Sequence, residues 1–260
     1  MAGMKISFIG AGRVAHHLAK ALSAKHQIVD VYSRSAASAQ ALADQVAARV
    51  VTSAQDLNPE IDIAIIAVSD QAIEAVVRDI GVYLPNVCLV HTSGSTAMQV
   101  LSVVHDRVGV FYPLQTFSFE SVIDWSNTPL LIEAQYPADE KQLLQLAQQM
   151  SQRVYIYSSE QRLSLHLAAV FACNFSNYCF DMAQQIVDAQ QVDFSLLHPL
   201  MLETVKKATQ HPPHSVQTGP AKRGDQNILN LHQMLLHDAA RQDLQQVYAL
   251  LSQHIQQREQ

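Results

Sequence analysis

Cysteine, charge and long apolar runs are all scarce in this sequence. Its 260 residues include three cysteines, Cys88, Cys173 and Cys179, with no CxxC pair, so a disulfide framework is excluded and a reducing cytoplasm is the expected location. No apolar run approaches the roughly 20 residues that cross a bilayer. Lys5 and the early glycines interrupt the N-terminal apolar segment, so neither a membrane span nor a signal peptide is expected.

The charge that is present is slightly acidic. Charged residues make up 15% of the chain, with a net charge of −6 and no basic run, which argues against a nucleic-acid surface. Hydrophobic residues make up 48%, as expected of a folded globular protein. The closest histidine pairs, His16–His17 and His211–His214, have no carboxylate or thiolate at ligand spacing, so no metal site is expected.

The first half of the chain alternates strands with helices. Apolar strands are predicted at 4–9, 27–33, 61–69, 87–93, 108–113 and 130–134. This alternation predicts an α/β fold with a doubly wound, mostly parallel sheet that is covered by helices on both faces.

After Tyr157 the pattern indicates helices alone. The sequence predicts one long helix over 159–189, followed by helices near 193–210, 226–238 and 240–257. The expected organisation is an α/β domain over 1–155 and an all-α C-terminal domain over 156–260.

A glycine motif directly follows the first strand. Gly10, Gly12 and Ala15 form G-x-G-x-x-A within a strand–helix–strand unit of about 30 residues. The first glycine permits a tight turn, the second lets the backbone approach a pyrophosphate, and the helix N-terminus supplies free N–H groups. The motif therefore predicts a Rossmann-type dinucleotide site. Its expected cofactor contacts are Gly10, Ala11, Gly12, Arg13 and Val14.

The end of the second strand indicates which dinucleotide is bound. NAD-selective folds place an acidic residue there to bind the ribose hydroxyls, whereas this chain has Ser33, Arg34 and Ser35. A guanidinium flanked by two hydroxyls suits the 2′-phosphate of NADP. Asp30 is near the spacing of the ribose carboxylate but lies inside the strand, and Arg34 as a solvated residue opening a helix is the alternative.

Two further strand ends carry small polar residues, and ligands of open α/β sheets lie beyond such ends. Backbone at Val68 and Ser69 is expected to contact the cofactor, while Ser69 and Asp70 also suit a helix cap. The segment "HTSGS" places Thr92 and Ser93 beside the expected nicotinamide. An ordinary Ser/Gly turn is the alternative for that segment.

The helical half contains three candidate substrate contacts. His166 could act as a general acid, a common role of histidine, or it could be a hydrogen-bonded core residue. Asn174 shares a helix face with other polar residues that are costly to bury unless bonded, so that face either contacts neighbouring helices or lines a cleft. Arg223, next to Lys222 on a turn, could bind a substrate carboxylate or phosphate, or the segment could be a solvated loop; in either case Asp225 is expected to cap the following helix.

Five segments taken together resemble a known family. "VYSRS", "HTSGS", "GVFYPLQTFS", "SLHLAAVFACNF" and "QTGPAKRGD" are similar to NADP oxidoreductases that join a Rossmann-like N-terminal domain to a helical C-terminal domain of unknown function (domain of unknown function 2520). The likeness covers essentially the whole chain. Pyrroline-5-carboxylate reductase, prephenate dehydrogenase and 6-phosphogluconate dehydrogenase-type enzymes are similar more remotely.

The resemblance implies NADP as cofactor, a homodimer built by the C-terminal helices, and a site role for Arg223. Many relatives have His-Pro where this chain has Tyr112-Pro113, so any proton role of that histidine passes to the Tyr112 hydroxyl or is dropped. The hydroxyacid-dehydrogenase relatives also carry a Lys and an Asn one turn apart, and this chain lacks that Lys.

The predicted function is NADP-dependent oxidoreduction. A hydride would move between NADP(H) and a C=O or C=N group of a small substrate, expected to be anionic, and the substrate itself is not specified. A non-catalytic NADP-binding redox sensor or scaffold is the alternative. The candidate catalytic residues are Ser93, His166, Asn174 and Arg223.

Overall fold

The computed structural model describes residues 3–258, and their backbone contacts divide into two compact units. The first unit ends at Ala172 and the second begins at Cys173. The first contains a sheet covered by helices, and the second contains helices and turns within its described residues.

One sheet organises the first unit, and its described part has eight strands in the order β3-β2-β1-β4-β5-β6-β7-β8. All neighbouring pairs are parallel except β6 with β7. The strands are β1 (Lys5–Ile9), β2 (Gln27–Tyr32), β3 (Arg49–Val51), β4 (Ile63–Ile66), β5 (Cys88–His91), β6 (Val108–Pro113), β7 (Leu130–Ala134) and β8 (Val154–Ile156). The predicted fold class is confirmed, and the two short outer strands β3 and β8 are additions to it.

Helices cover both faces of this sheet. The first unit contains α1 (Arg13–Ser23), α2 (Ala36–Val46), α3 (Ile73–Gly81), α4 (Gln99–Ser102), α5 (Pro137–Gln148) and α6 (Ser159–Ala169). Apolar residues of α1, α2 and α5 pack on one face in a core that includes Phe8 and Phe111. Apolar residues of α3 and α4 pack on the other face, around Ile9 and Val110. The two cores follow from the alternation of side chains along each strand.

The second unit contains five helices within its described residues. These are α7 (Ser176–Asp188), α8 (His198–Gln210), α9 (Pro220–Arg223), α10 (Gln226–Asp238) and α11 (Gln242–Gln257). The Asp225 side chain accepts a hydrogen bond from the Ile228 N–H at 3.3 Å, which confirms its predicted role as the cap of α10. Large apolar side chains such as Leu196, Leu200 and Leu202 remain exposed.

The predicted helix over 159–189 is interrupted. A π-helical turn, Val170–Phe175, separates α6 from α7, so the chain stays helical but loses its regular spacing there. Such turns often occur at functional sites. The boundary expected between residues 155 and 156 falls inside β8, whereas the compact units divide inside this π turn.

Asp30 has a structural role inside β2. Its fully buried carboxylate accepts hydrogen bonds from Arg49 Nε and from the Asn58 N–H, both at 2.8 Å. Both oxygens are therefore used to join β2 to β3 and the following loop. Because these bonds occupy the carboxylate, a residue near the usual ribose spacing has a structural function instead.

We predict that Asp30→Asn lowers the free energy of unfolding by about 1–3 kcal/mol, because an amide NH2 replaces one carboxylate oxygen and one of the two buried donors loses its acceptor. Urea unfolding measures this loss. Asp62→Asn is the matched control, since the exposed Asp62 accepts one backbone bond, from the Lys5 N–H, and should lose less. Affinity for NADH and NADPH should not change in Asp30→Asn, and weaker NADH binding would contradict this assignment.

Candidate functional site

The glycine loop between β1 and α1 depends on close backbone contacts. Gly10 has a φ of 109°, and a Cβ built there would lie 2.2 Å from the Ala67 carbonyl oxygen. Its N–H donates to the Tyr32 carbonyl at 2.7 Å. A side chain is therefore excluded at Gly10 by both strain and collision, and the loop is held between the ends of β2 and β4.

Gly12 leaves the start of α1 open. It occupies the N-cap position without a side-chain capping bond, and a Cβ built there would meet nothing within 4 Å. The first turn of α1 contains no acidic residue. Free N–H groups and the positive end of the helix dipole therefore face open space, which is the arrangement that binds a phosphate.

Arg34 is available for a second phosphate. The side chain is exposed and, among residues 3–258, has no hydrogen-bonding or charged partner in the protein. Its neighbours shape the turn, because Ser33 Oγ accepts from the Ser35 N–H at 3.4 Å and Ser35 Oγ accepts from the Ser38 N–H at 3.3 Å. The second of these bonds makes Ser35 the N-cap of α2.

A single cavity of about 920 Å³ joins these features within the first unit. The predicted cofactor contacts that line it are Gly10, Ala11, Gly12, Arg13, Val14, Ser33, Arg34, Val68, Ser69 and Thr92. Ser35 is not among the lining residues. The volume lies within the usual range of ligand cavities, roughly 300–1,000 Å³.

An aromatic segment lies beside the glycine loop in the same cavity. Phe117 and Phe119 line it, and their rings pack against His17 and His16, with centroids 5.6 and 5.7 Å apart. The Arg13 guanidinium lies 5.9 Å from the Phe119 centroid. This contact holds a positive charge at the entrance to α1.

At the strand ends, Gly94 lies beneath a pair of polar side chains. Tyr112 Oη and His166 Nδ1 lie 3.2 Å apart, and both residues line the cavity. A Cβ built on Gly94 would lie 2.5 Å from His166 Nδ1 and 2.7 Å from Tyr112 Cζ. Burial, as the largest influence, raises the pKa of Tyr112; nearby Arg162 lowers it and Asp70 raises it. The phenol is therefore protonated at neutral pH.

Ser93 also lines the cavity, but its hydroxyl is already bonded. Ser93 Oγ accepts from the N–H groups of Ser95 and Thr96, at 3.1 and 2.9 Å, and donates to Thr96 Oγ1 at 3.0 Å. The predicted alternative of a Ser/Gly turn therefore describes this side chain well.

Asn174 and Arg223 belong to the second unit. Asn174 lies in the π turn, and Arg223 is the last residue of α9; both are exposed. Their roles as substrate contacts stay predictions.

Among residues 3–258, no three His, Cys, Asp or Glu side chains cluster as metal ligands, and no helix in that range is long and apolar enough to cross a membrane.

A buried ion pair, which the sequence analysis missed, positions His166. The Arg162 side chain is 1% exposed and bonds to Glu133 of β7, to the Thr96 carbonyl and to Ser159 Oγ. Arg162 and His166 are four residues apart on α6, so they lie on the same side of the helix. The four-residue spacing of Arg162 and His166, in the helix that follows the last strand, is the sequence signal that could have indicated this arrangement.

His91 is buried beneath the same strand end. Its Nδ1 accepts from the Ser93 N–H at 3.1 Å, so the ring proton is on Nε2, which has no partner among residues 3–258. Burial, followed by the charge of Arg162, lowers the pKa of His91 to about 3. The neutral ring therefore holds the "HTSGS" turn in place.

Comparisons with known proteins agree with this geometry. The family model for coenzyme F420-dependent NADP oxidoreductases matches residues 5–93, and the domain of unknown function DUF2520 matches residues 128–255. The putative NADP oxidoreductase BF3122 from Bacteroides fragilis has 38% identity and a TM-score of 0.91, covering 98% of this chain and 99% of that chain. No curated protein matches the chain.

Two more distant structures share the fold. An imine reductase from Myxococcus stipitatus, in complex with NADP+, has 16% identity and a TM-score of 0.73, covering 97% of this chain and 93% of that one. A pyrroline carboxylate reductase from Plasmodium falciparum, with NADP bound, has 14% identity and a TM-score of 0.57, covering 100% of both chains.

The fold and the glycine loop thus define a Rossmann-type protein of the NADP oxidoreductase class. Within that class, the chain belongs to the family of BF3122, and its own sequence matches the NADP oxidoreductase model followed by the DUF2520 model. The predicted family is confirmed.

Two glycines of the site should respond differently to alanine. Gly94→Ala forces the Tyr112 and His166 rings apart, which should cost about 1–3 kcal/mol of unfolding free energy. Gly12→Ala should cost less than about 1 kcal/mol, because its Cβ enters open space, but it should weaken NADPH binding at least about tenfold by blocking the pyrophosphate. Thermal unfolding and NADPH titration separate the two effects; equal NADPH affinity in Gly12→Ala and wild type would oppose the phosphate assignment.

The low pKa of His91 predicts a pH dependence of stability. The unfolded ring takes up a proton below about pH 6.5, whereas the folded ring stays neutral to about pH 3. Stability from this residue is therefore complete above pH 6.5 and falls by about 1.4 kcal/mol per pH unit as the pH decreases. Urea unfolding from pH 4 to 7 should show this slope in wild type and lose it in His91→Asn, which keeps an acceptor for the Ser93 N–H. The same slope in both proteins would contradict the assignment.

Proposed function

We propose that the protein is an NADP-dependent oxidoreductase that transfers a hydride between NADP(H) and a C=O or C=N group of a small substrate. The observation that carries the proposal is one continuous cavity in the first unit, whose lining includes Gly12 and Arg34 as well as Tyr112 and His166. Phosphate-binding groups lie at one end and proton-carrying side chains at the other, as a nicotinamide reaction requires.

The residues of the cavity fit a dinucleotide phosphate. The open N-terminus of α1 suits the pyrophosphate, since Gly12 leaves room for close approach. The unpaired Arg34 suits the 2′-phosphate, because a guanidinium binds phosphate oxygens through two parallel bonds. Asp30 offers no competing ribose contact, since Arg49 and the Asn58 N–H occupy its carboxylate. Two structures of the same fold were solved with NADP+ or NADP.

When bound, NADP(H) would supply or accept the hydride at its nicotinamide ring. The protein's part is to bind, orient and move a proton. Gly94 leaves room for the Tyr112 and His166 side chains, which would offer polar hydrogens to the substrate. Asn174 and Arg223 remain the proposed contacts for an anionic substrate, and each awaits a test by substitution.

A homodimer through the second unit is also proposed. Exposed leucines at positions 196, 200 and 202 retain 71%, 64% and 71% of their accessible surface, and apolar surface of this kind marks protein interfaces.

All three cysteines are free thiols, which supports the proposal that the protein works in the reducing cytoplasm.

Nucleotide titrations test the cofactor assignment. Wild type should bind NADPH roughly 10 to 100 times more tightly than NADH, because charge-assisted bonds are worth about 1.5–3 kcal/mol. Arg34→Glu should abolish that preference. Arg153→Glu is the matched control, since it makes the same change of charge at an exposed residue outside the cavity. A preference that survives Arg34→Glu would contradict the role of Arg34.

Turnover separates an enzyme from a sensor. We expect NADPH absorbance to fall when wild type is mixed with small 2-keto acids or cyclic imines. NADPH binding without oxidation by any of them would favour the redox-sensor or scaffold alternative. Absence of binding by either nucleotide would contradict the dinucleotide site itself.

A further inference from the structure

Tyr112 and His166 form a preorganised pair at the substrate end of the cavity. Their polar atoms are 3.2 Å apart, and their rings meet edge to face with centroids 6.2 Å apart. Tyr112 comes from β6 and His166 from α6, which are distant in sequence. Gly94 allows the pair to form, because a larger residue would collide with both rings.

Hydrogen bonds of Arg162 fix the position of the helix that carries His166. Arg162, one helical turn earlier, is bonded to Glu133, to the Thr96 carbonyl and to Ser159. These bonds hold α6 against β7 and against the turn that contains Gly94. The histidine therefore meets the tyrosine without having to order a mobile helix, which lowers the cost of positioning a proton carrier.

The other hydroxyls at this end suit proton transfer less well. Ser93 Oγ is bonded to Ser95 and Thr96, and the aliphatic hydroxyls of Ser93 and Thr92 are much weaker acids than a phenol. Asp70 lines the cavity but accepts a hydrogen bond from Ser95 Oγ. Tyr112 combines a suitable acidity, a place in the cavity wall and a nitrogen partner.

We infer that the Tyr112 hydroxyl is the proton donor of the reaction and that His166 Nδ1–H donates to the Tyr112 oxygen and restores its proton. This inference rests on the proposed function. It makes Tyr112 a catalytic residue and His166 its proton relay.

The reduction then balances as one hydride and one proton. The hydride from reduced NADP forms the new C–H bond, and the π pair of the C=O or C=N bond takes the Tyr112 proton as its O–H bond breaks. The phenolate takes the Nδ1 proton of His166, and His166 Nε2 takes a proton from a water molecule, which leaves hydroxide that the solvent neutralises. The substrate is reduced, the dinucleotide is oxidised, and exchange with solvent resets the ring tautomer.

The surrounding charges suit this role. Burial and Asp70 raise the pKa of Tyr112, while Arg162 opposes them, so the donor stays protonated at neutral pH. Arg162 also limits the cost of the transient phenolate. His91, the other titratable ring near Arg162, stays neutral because of its own burial and adds no charge.

The tautomer of His166 tests the relay without any substrate. Nitrogen-15 NMR of the full-length protein, with His166→Leu to assign the resonances, should show the proton on Nδ1 in wild type. Tyr112→Phe should shift that signal, because the tyrosine oxygen is its acceptor. A neutral ring with its proton on Nε2 means that the tyrosine donates to the histidine, and that result would overturn the relay.

The acidity of Tyr112 gives an independent readout. Alkaline titration of tyrosine absorbance, taken as the difference between wild type and Tyr112→Phe, isolates this residue among the eight tyrosines of the chain. His166→Leu should raise the pKa of Tyr112, because it removes a donor to the phenolate. A lower or unchanged pKa in His166→Leu would contradict the inference.

Kinetics separate this inference from the proposed function. With any 2-keto acid or cyclic imine that wild type reduces, Tyr112→Phe should lower kcat at least about 100-fold, with the NADPH dissociation constant unchanged. Turnover within a few-fold of wild type would remove Tyr112 from the reaction and leave the oxidoreductase proposal standing. If wild type binds no NADPH, the proposed function fails, while the tautomer and titration still decide whether the relay exists.

Discussion

Arg162 carries its guanidinium into the interior of the first unit, where a charge is costly unless it is paired and hydrogen-bonded. Glu133 supplies the pairing, and Thr96 and Ser159 accept further hydrogen bonds. Each of these partners lies on a different segment, so one side chain ties α6 to β7 and to the turn after β5. His166 is four residues further along α6, and its contact with Tyr112 above Gly94 depends on that attachment.

The opposite end of the cavity depends on backbone contacts instead. Gly10 lies against the Ala67 carbonyl at a distance that only glycine tolerates, and this contact aims the N-terminus of α1 at the ends of the neighbouring strands. Arg34 approaches the same cavity from the end of β2. A rigid sheet thus holds both groups of residues, and the space between them is where the family's NADP cofactor is proposed to bind.

The fold class, and the residues that line the glycine-loop end of the cavity, could be predicted from the sequence because their signals are local. The glycine motif, the strand before it and Arg34 lie within about 30 residues, and the helices of the second unit follow apolar spacing. The substrate end was predicted less completely. The order of the strands and the antiparallel pairing of β7 bring Tyr112, Gly94 and Arg162 together. The spacing of residues along the sequence predicts neither the strand order nor that pairing. The π turn after α6 leaves no pattern that distinguishes it from a regular helix.

Sequence reasoning also identified Ser93 for its position rather than for its bonds. Ser93 lines the cavity, but its hydroxyl accepts hydrogen bonds from the N–H groups of Ser95 and Thr96 and so stabilises the turn. Only the structure shows these bonds. The reverse holds for Tyr112, which the sequence marked as a departure from relatives and the structure places in contact with His166.

A crystal structure of the full-length protein with NADP+ would test the central claim most directly. The account predicts the 2′-phosphate in contact with Arg34, the pyrophosphate at the N-terminus of α1, and the nicotinamide beside the Tyr112–His166 pair, with its C4 within about 4 Å of a substrate atom held by Tyr112. A dinucleotide whose nicotinamide lies away from the Tyr112–His166 pair, or whose 2′-phosphate leaves Arg34 free, would contradict it.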